Sequence, residues 1–324
     1  MNISTQYLGL QLKNPLIISS SGLSADPDKI SEMEKRGAGA VVLKSLFEEQ
    51  IQFEINHALA KSKNTVADKM IENYVRENSV SEYLNLLETA KKEVEIPIIA
   101  SINCISAKNW TDYAQRLEYS GADALELNIN IIPTSSSIES LDIENQYLEI
   151  ISKIKSIIKI PVAVKISSHF TNILNFAAKL EKLNVEGVVL FNRFFEPDID
   201  IYSMNLKAAP VFSSPSDFRH TLRWIGILDA SREKIDISAS TGIHDAEGFI
   251  KSLLAGAQTA QICSVLYQKG MPEIANILSG LKDWMKKYEI ENIEDFRGKL
   301  SYKNIPNPEV YERSQFMKYF SGNL

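Results

Sequence analysis

Two lysines each close an apolar run. Lys44 follows Ala40-Val-Val-Leu43, and Lys165 follows Val162-Ala-Val164. A lysine so placed has to meet an anion or a polar partner, because an unpaired buried charge is costly. The alternative is a side chain that snorkels to solvent, or that pairs with Glu126 inside the fold. Other apolar runs end in the same way: in Ser19-Ser20-Ser21-Gly22, in Ser101 and Asn103, in Glu126, Asn128 and Asn130, in Asn192 and Arg193, in Ser240-Thr241-Gly242, and in Cys263-Ser264. If these ends share one face, they form a polar ring. Ser240-Thr241-Gly242 and Cys263-Ser264 also sit just ahead of helical stretches. Outward backbone N–H groups there, helped by the helix dipole, suit a dianion such as phosphate. The alternative is that Gly242 and Ser264 simply serve tight turns.

The elements that must position these residues repeat. A helical pattern, a small-residue turn and a short apolar run recur in Lys35-Arg-Gly-Ala-Gly-Ala-Val-Val-Leu43, Ser120-Gly-Ala-Asp-Ala-Leu-Glu-Leu127, Val185-Glu-Gly-Val-Val-Leu-Phe191 and Ala255-Gly-Ala-Gln-Thr-Ala-Gln-Ile262. Runs apolar on both faces suit buried parallel strands, and Gly supplies the left-handed helix end. Eight strands are predicted, near 16–19, 40–43, 98–101, 123–127, 162–166, 186–191, 235–239 and 259–262. Eight alternating βα units predict an α/β fold, a closed (β/α)8 TIM barrel, whose active sites lie at the strands' C-terminal ends. Leu8–Asn14 reads as a hairpin closing the barrel bottom. Asp26-Pro27 reads as a helix start, and Ser79 with Glu82 as a capping box opening a helix near 82–93. Connections over 45–78 and 192–216 read as long loops over the C-terminal face, and 271–298 as terminal helices. Residues 1–324 read as one domain.

Composition narrows the function classes. The 324 residues are 44% hydrophobic, with a net charge of −6. An acidic chain lacks the basic patch of a nucleic-acid binder and disfavours an anionic membrane face. Cys104 and Cys263 are far apart, and His57, His169, His220 and His244 do not cluster, which argues against a metal or iron–sulfur site. The N-terminal stretch has no signal-peptide pattern and no apolar span long enough for a membrane, so a cytoplasmic protein is expected.

Four segments resemble the dihydroorotate dehydrogenase-like flavin barrels: Asn14-Pro-Leu-Ile-Ile-Ser-Ser-Ser-Gly22, Gly39-Ala-Val-Val-Leu-Lys-Ser45, Ala122-Asp-Ala-Leu-Glu-Leu-Asn128 and Ala255–Ser264. The resemblance runs from Leu8 to about residue 300. It implies one FMN, with Ser20, Ser21, Lys44, Asn128 and Lys165 on the ring or ribityl and Ser240, Thr241, Gly242, Cys263 and Ser264 on the phosphate. Gly22, Ser101, Asn103 and Asn192 complete the cofactor side of the polar ring. It implies hydride transfer between flavin and a small planar substrate at a CH–CH bond, in pyrimidine metabolism, and a homodimer. The substrate side departs from the family. Its catalytic Cys or Ser base falls at Ile131, which cannot accept a proton. Ser135 and Ser136 are the nearby replacements, and Arg193 is a candidate clamp for a substrate carboxylate. Phe194 and Phe195 are candidates to stack on the substrate, or to pack a lid. The family's substrate loop has no match in Gln50–Lys69. Two other readings stay open: a flavin-binding protein that has lost the parent chemistry, and a non-flavin phosphate-binding barrel lyase or isomerase using strand-end lysines.

Overall fold

The computed structural model describes residues 1–61, 68–104, 107–193 and 196–312. The chain opens with a hairpin, β1 (Thr5–Tyr7) and β2 (Leu10–Leu12), turning at Leu8-Gly9. It starts three residues before the sequence suggests, because Leu8 and Gly9 both take the positive φ of the turn. The chain then runs β3 (Leu16–Ile18), α1 (Pro27–Lys35), β4 (Ala40–Val42), β5 (Leu46–Phe47), α2 (Glu48–Lys61), α3 (Asp68–Glu93), β6 (Ile98–Asn103), α4 (Ala107–Tyr119), β7 (Ala124–Asn128), α5 (Ser140–Lys155) and β8 (Val162–Ile166). It continues through α6 (Ile173–Lys182), β9 (Gly187–Leu190), β10 (Pro197–Asp200), β11 (Asn205–Ala208), α7 (Phe218–Ser231), β12 (Asp236–Ser240), α8 (Ala246–Ala255), β13 (Thr259–Ile262), α9 (Ser264–Lys269), α10 (Pro272–Lys287) and α11 (Glu309–Glu312).

Eight parallel strands pair in the order β4-β3-β13-β12-β9-β8-β7-β6, and β4 pairs with β6 to close the ring. These are the eight strands read from the sequence. Helices α1, α4, α6 and α8 lay apolar faces on the outside of the ring, through Ile30 and Met33, Trp110, Tyr113 and Leu117, Phe176 and Leu180, and Phe249 and Leu253. Asp26 caps α1 through its side chain, with Pro27 at the first helical position, as the sequence suggests.

Inside the barrel, residues alternate along each strand. A lower layer holds Ile17, Ala40, Val42, Ile99, Ala124, Ala163 and Val189. Several of these are small, and Tyr7, Leu8 and Leu12 of the hairpin pack against them from below. At Gly187 a Cβ would fall on Leu8, so that strand needs glycine for the hairpin to enter. Toward the C-terminal ends of the strands the interior turns polar: Ser19, Ser101, Glu126, Lys165 and Gln261 are all buried.

Both long connections carry regular structure. The first is mostly helical, since Ile51 and Ile55, and Val80, Tyr83, Leu87 and Ala90, recur at helical spacing and bury one stripe. Ser79 does not open a helix there. It lies inside α3, where its hydroxyl is 2.9 Å from the carbonyl oxygen of Val75 and 3.0 Å from Glu54, and can donate to either. The second connection forms the exposed hairpin β10–β11. Among the described residues no helix is long and apolar enough to cross a membrane, and no group of three or more His, Cys, Asp or Glu could hold a metal ion.

Candidate active site

The C-terminal ends of β3, β8, β12 and β13 open on a cavity of about 520 Å³. Ser20, Ser21, Lys165, Asn192, Ser240, Thr241, Gly242, Cys263 and Ser264, all singled out in the sequence, line it. So do Ser19, Arg193, Ser213, Gln261 and Tyr267.

Lys165 is 6% exposed. Its ammonium donates to Ser19 Oγ at 3.1 Å and to Gln261 Oε1 at 3.2 Å, and it lies 3.6 Å from Glu126 Oε1. Ser19 also donates to Gln261 Oε1, and Gln261 Nε2 donates to Glu126 Oε2 at 2.7 Å. The two sequence alternatives for Lys165 are therefore both present: it pairs with Glu126 and still lines the cavity.

The β12 end is held in an unusual backbone shape. Thr241 and Gly242 both have positive φ, and the Thr241 hydroxyl donates to the carbonyl of Phe191. A Cβ at residue 242 would land on the backbone of Phe218 at the start of α7, so only glycine lets β12 turn here. Around this turn several polar groups gather on one oxygen. Ser213 Oγ accepts from the Gly242 N–H at 3.3 Å, lies 3.0 Å from His244 Nε2, and donates to Ser264 Oγ at 3.1 Å. The Ser213 N–H also donates to Ser264 Oγ, at 3.0 Å. His244 is buried, and burial pushes its pKa below the ordinary 6.5; Lys269 adds to this, while Asp245 and Asp217 oppose it. Burial also pushes the Cys263 thiol up, against the Ser21 hydroxyl and the Lys165 charge.

Five expected residues lie elsewhere. Gly22 sits against the Tyr267 hydroxyl. Lys44 is half-buried on a second cavity, of about 220 Å³, with Gln50, Glu54, Glu82 and Tyr83. Ser101 is buried, at 2.7 Å from Ser45 Oγ, which contacts Ser20 Oγ at 3.1 Å. Asn103 lines a third cavity beside Cys104 and Ile131. Asn128 accepts from Asn192 Nδ2 at 2.8 Å.

The substrate-side candidates do not gather. Ile131 lines two smaller cavities, and Ser135 and Ser136 are exposed on the loop ahead of α5, with Ser135 turned to Ser137. Arg193 reaches the main cavity, but its guanidinium donates to Asp217 at 3.0 Å and to the carbonyl of Pro210 at 2.7 Å. That ties down the segment carrying Ser213. Phe194, Phe195 and residues 62–67 lie outside the described residues.

Sequence reasoning missed Gln261, Ser213 and Tyr267 as cavity residues, and His244 behind Ser213. Gln261 had a signal, a long polar side chain inside the strand run Thr259–Ile262, all of it buried. Ser213 had none, because only the path of its loop brings it to Gly242.

A family model described as dihydroorotate dehydrogenase matches residues 2–285. The chain is 28% identical to the Thermoplasma volcanium protein named dihydroorotate dehydrogenase B (NAD(+)), catalytic subunit, over 92% of this chain and 98% of that one. It is 26% identical to the Pyrococcus furiosus protein of the same name, over 92% and 98%. A putative dihydroorotate dehydrogenase A (fumarate) of Aeropyrum pernix is 22% identical, over 91% and 96%. With the closed barrel and this match along most of its length, the chain belongs to the dihydroorotate dehydrogenase family, flavin-dependent oxidoreductases acting on CH–CH bonds.

Proposed function

We propose that the chain binds FMN in the barrel-mouth cavity and passes hydride between it and a small planar substrate. One observation carries this reading: the buried Lys165 ammonium and the polar cluster of Gly242, Ser213 and Ser264 line the same cavity. The groups around Gly242 meet on a hydroxyl oxygen, a place that a phosphate oxygen can take, so the residues present fit a phosphate-bearing cofactor. Ser240, Thr241, Gly242, Cys263 and Ser264 would hold the phosphate. Ser20, Ser21, Lys165 and Asn192 would hold the ring and ribityl, with Asn128 steadying Asn192 and Ser101 steadying Ser20 through Ser45, while Lys44 and Asn103 face other cavities. Bound flavin supplies a reversible hydride acceptor. Lys165 supplies a fixed positive charge, which favours the ring when it becomes anionic.

The names of the relatives make dihydroorotate the first substrate to test. Ile131 speaks against it, since no side chain there takes the proton that must leave with the hydride. A different small planar CH–CH substrate fits this site better. The same observation supports a second reading, a flavin protein that has lost the parent chemistry. In either case we place the protein in the cytoplasm, as a single-domain barrel working as a homodimer.

The test is the visible spectrum of the purified protein supplied with FMN, followed by dihydroorotate without oxygen. Flavin bands that persist fit the proposal. Bands that bleach would restore dihydroorotate as substrate. A protein that takes up no FMN would overturn the cofactor reading.

A further inference from the structure

Behind the cavity wall the barrel interior carries a charge that flavin binding does not need. Glu126 is 1% exposed. Its Oε2 accepts from Gln261, while its Oε1 has no hydrogen-bond partner among the described residues and lies 3.6 Å from the Lys165 ammonium. The Gln261 amide stands between the two charges, its NH2 toward the carboxylate and its oxygen toward the ammonium. A flipped amide would set like partial charges against both, so the charges themselves fix its orientation.

A buried ion pair adds little stability over well-packed apolar side chains, and an unpartnered carboxylate oxygen makes this one poorer. Its clear physical effect is on the field at the cavity. Lys165 alone would present a full positive charge to whatever binds there. With Glu126 behind it, the cavity meets a dipole instead.

We propose that Glu126, acting through Gln261 and Lys165, is a positioning residue that holds the reduction potential of the bound flavin below the value Lys165 alone would give. This rests on the FMN reading above. Two-electron reduction makes the ring anionic, which a nearby cation favours and a carboxylate behind that cation opposes.

The experiment is the two-electron midpoint potential of the FMN-loaded full chain, measured anaerobically against reference dyes. Glu126→Gln should shift the equilibrium toward reduced flavin by roughly tenfold or more, about 30 mV for a two-electron couple. Glu126→Asp, which keeps the charge, should fall between this variant and wild type. Glu126→Met removes the same charge and leaves no polar atom behind at residue 126, so it should shift the potential the same way and keeps the test open if Glu126→Gln does not fold. FMN bound with potentials unmoved in these variants overturns the inference and leaves the cofactor reading standing. A wild-type chain that binds no FMN overturns both.

Discussion

The two sides of the barrel mouth differ in what holds their polar groups. On the side of β3, β8, β12 and β13, the groups leave strands whose parallel register is fixed by their neighbours, and they converge on one cavity. On the side served by the connections after β4, β7 and β9, the expected groups scatter. Lys44 opens on a second cavity, Ile131 is apolar, Ser135 and Ser136 are exposed, and Arg193 is tied to Asp217. A position one residue beyond a strand is set by the sheet. A position several residues into a loop is set by whatever that loop packs on. The converging side is the one proposed to hold the cofactor, and the scattered side is where a substrate would differ from the family's.

The sharpest way to break this contrast is Lys165→Met. It leaves the Glu126 charge buried and uncompensated, so it should cost about 3–5 kcal/mol of stability in denaturant unfolding. It should also weaken FMN. A cost below about 1 kcal/mol would show that the pair is not the anchor of the cavity wall.

Gly242→Ala comes next. It forces a side chain against the Phe218 backbone at positive φ, with an expected destabilisation of about 1–3 kcal/mol. FMN affinity should fall more than riboflavin affinity, because only FMN carries the phosphate. Equal losses for both ligands would remove Gly242 from the proposed phosphate site.

A smaller effect concerns His244. Its pKa lies below the ordinary 6.5 in the folded chain, so the unfolded chain binds more protons in the window between the two values. Stability is therefore retained above pH 6.5 and lost as the pH falls through that window. His244→Gln should flatten this part of the melting-temperature profile between about pH 7.5 and 5.5. An unchanged slope would assign it to another group, with His220, also lowered by burial and by Arg223, as the next to test.

The smallest expected effects fall on the scattered side. Arg193→Ala breaks a partly exposed ion pair and should cost about 1 kcal/mol or less, with some loosening of the Ser213 segment. Ile131→Cys should leave dihydroorotate turnover where it was, because residue 131 lines other cavities. A gain of about 100-fold, in the range of general-base catalysis, would mean that this side lacks only its base.

The eight strands were legible because buried parallel strands are apolar on both faces, and glycines such as Gly121 and Gly256 end the preceding helices at positive φ. The wall of the main cavity was legible for a related reason: polar residues at such strand ends, among them Ser20, Lys165, Asn192 and Ser240, reach the barrel mouth. The helices within 45–78 were not legible, because only a thin stripe such as Ile51 and Ile55 is buried there, while Phe53, Met70 and Tyr74 are exposed and blur the helical period.

By itself, then, the sequence determined the barrel, its order of strands and the ring of strand-end residues, since each rests on local periodicity and on turn chemistry. Only the tertiary structure decided which of those residues meet. Ser213 reaches Gly242 across 29 residues, Lys165 reaches Gln261 across 96, and Gln261 reaches Glu126 across 135. Closing the ring creates those contacts, and no local pattern encodes a separation that only the closed barrel defines.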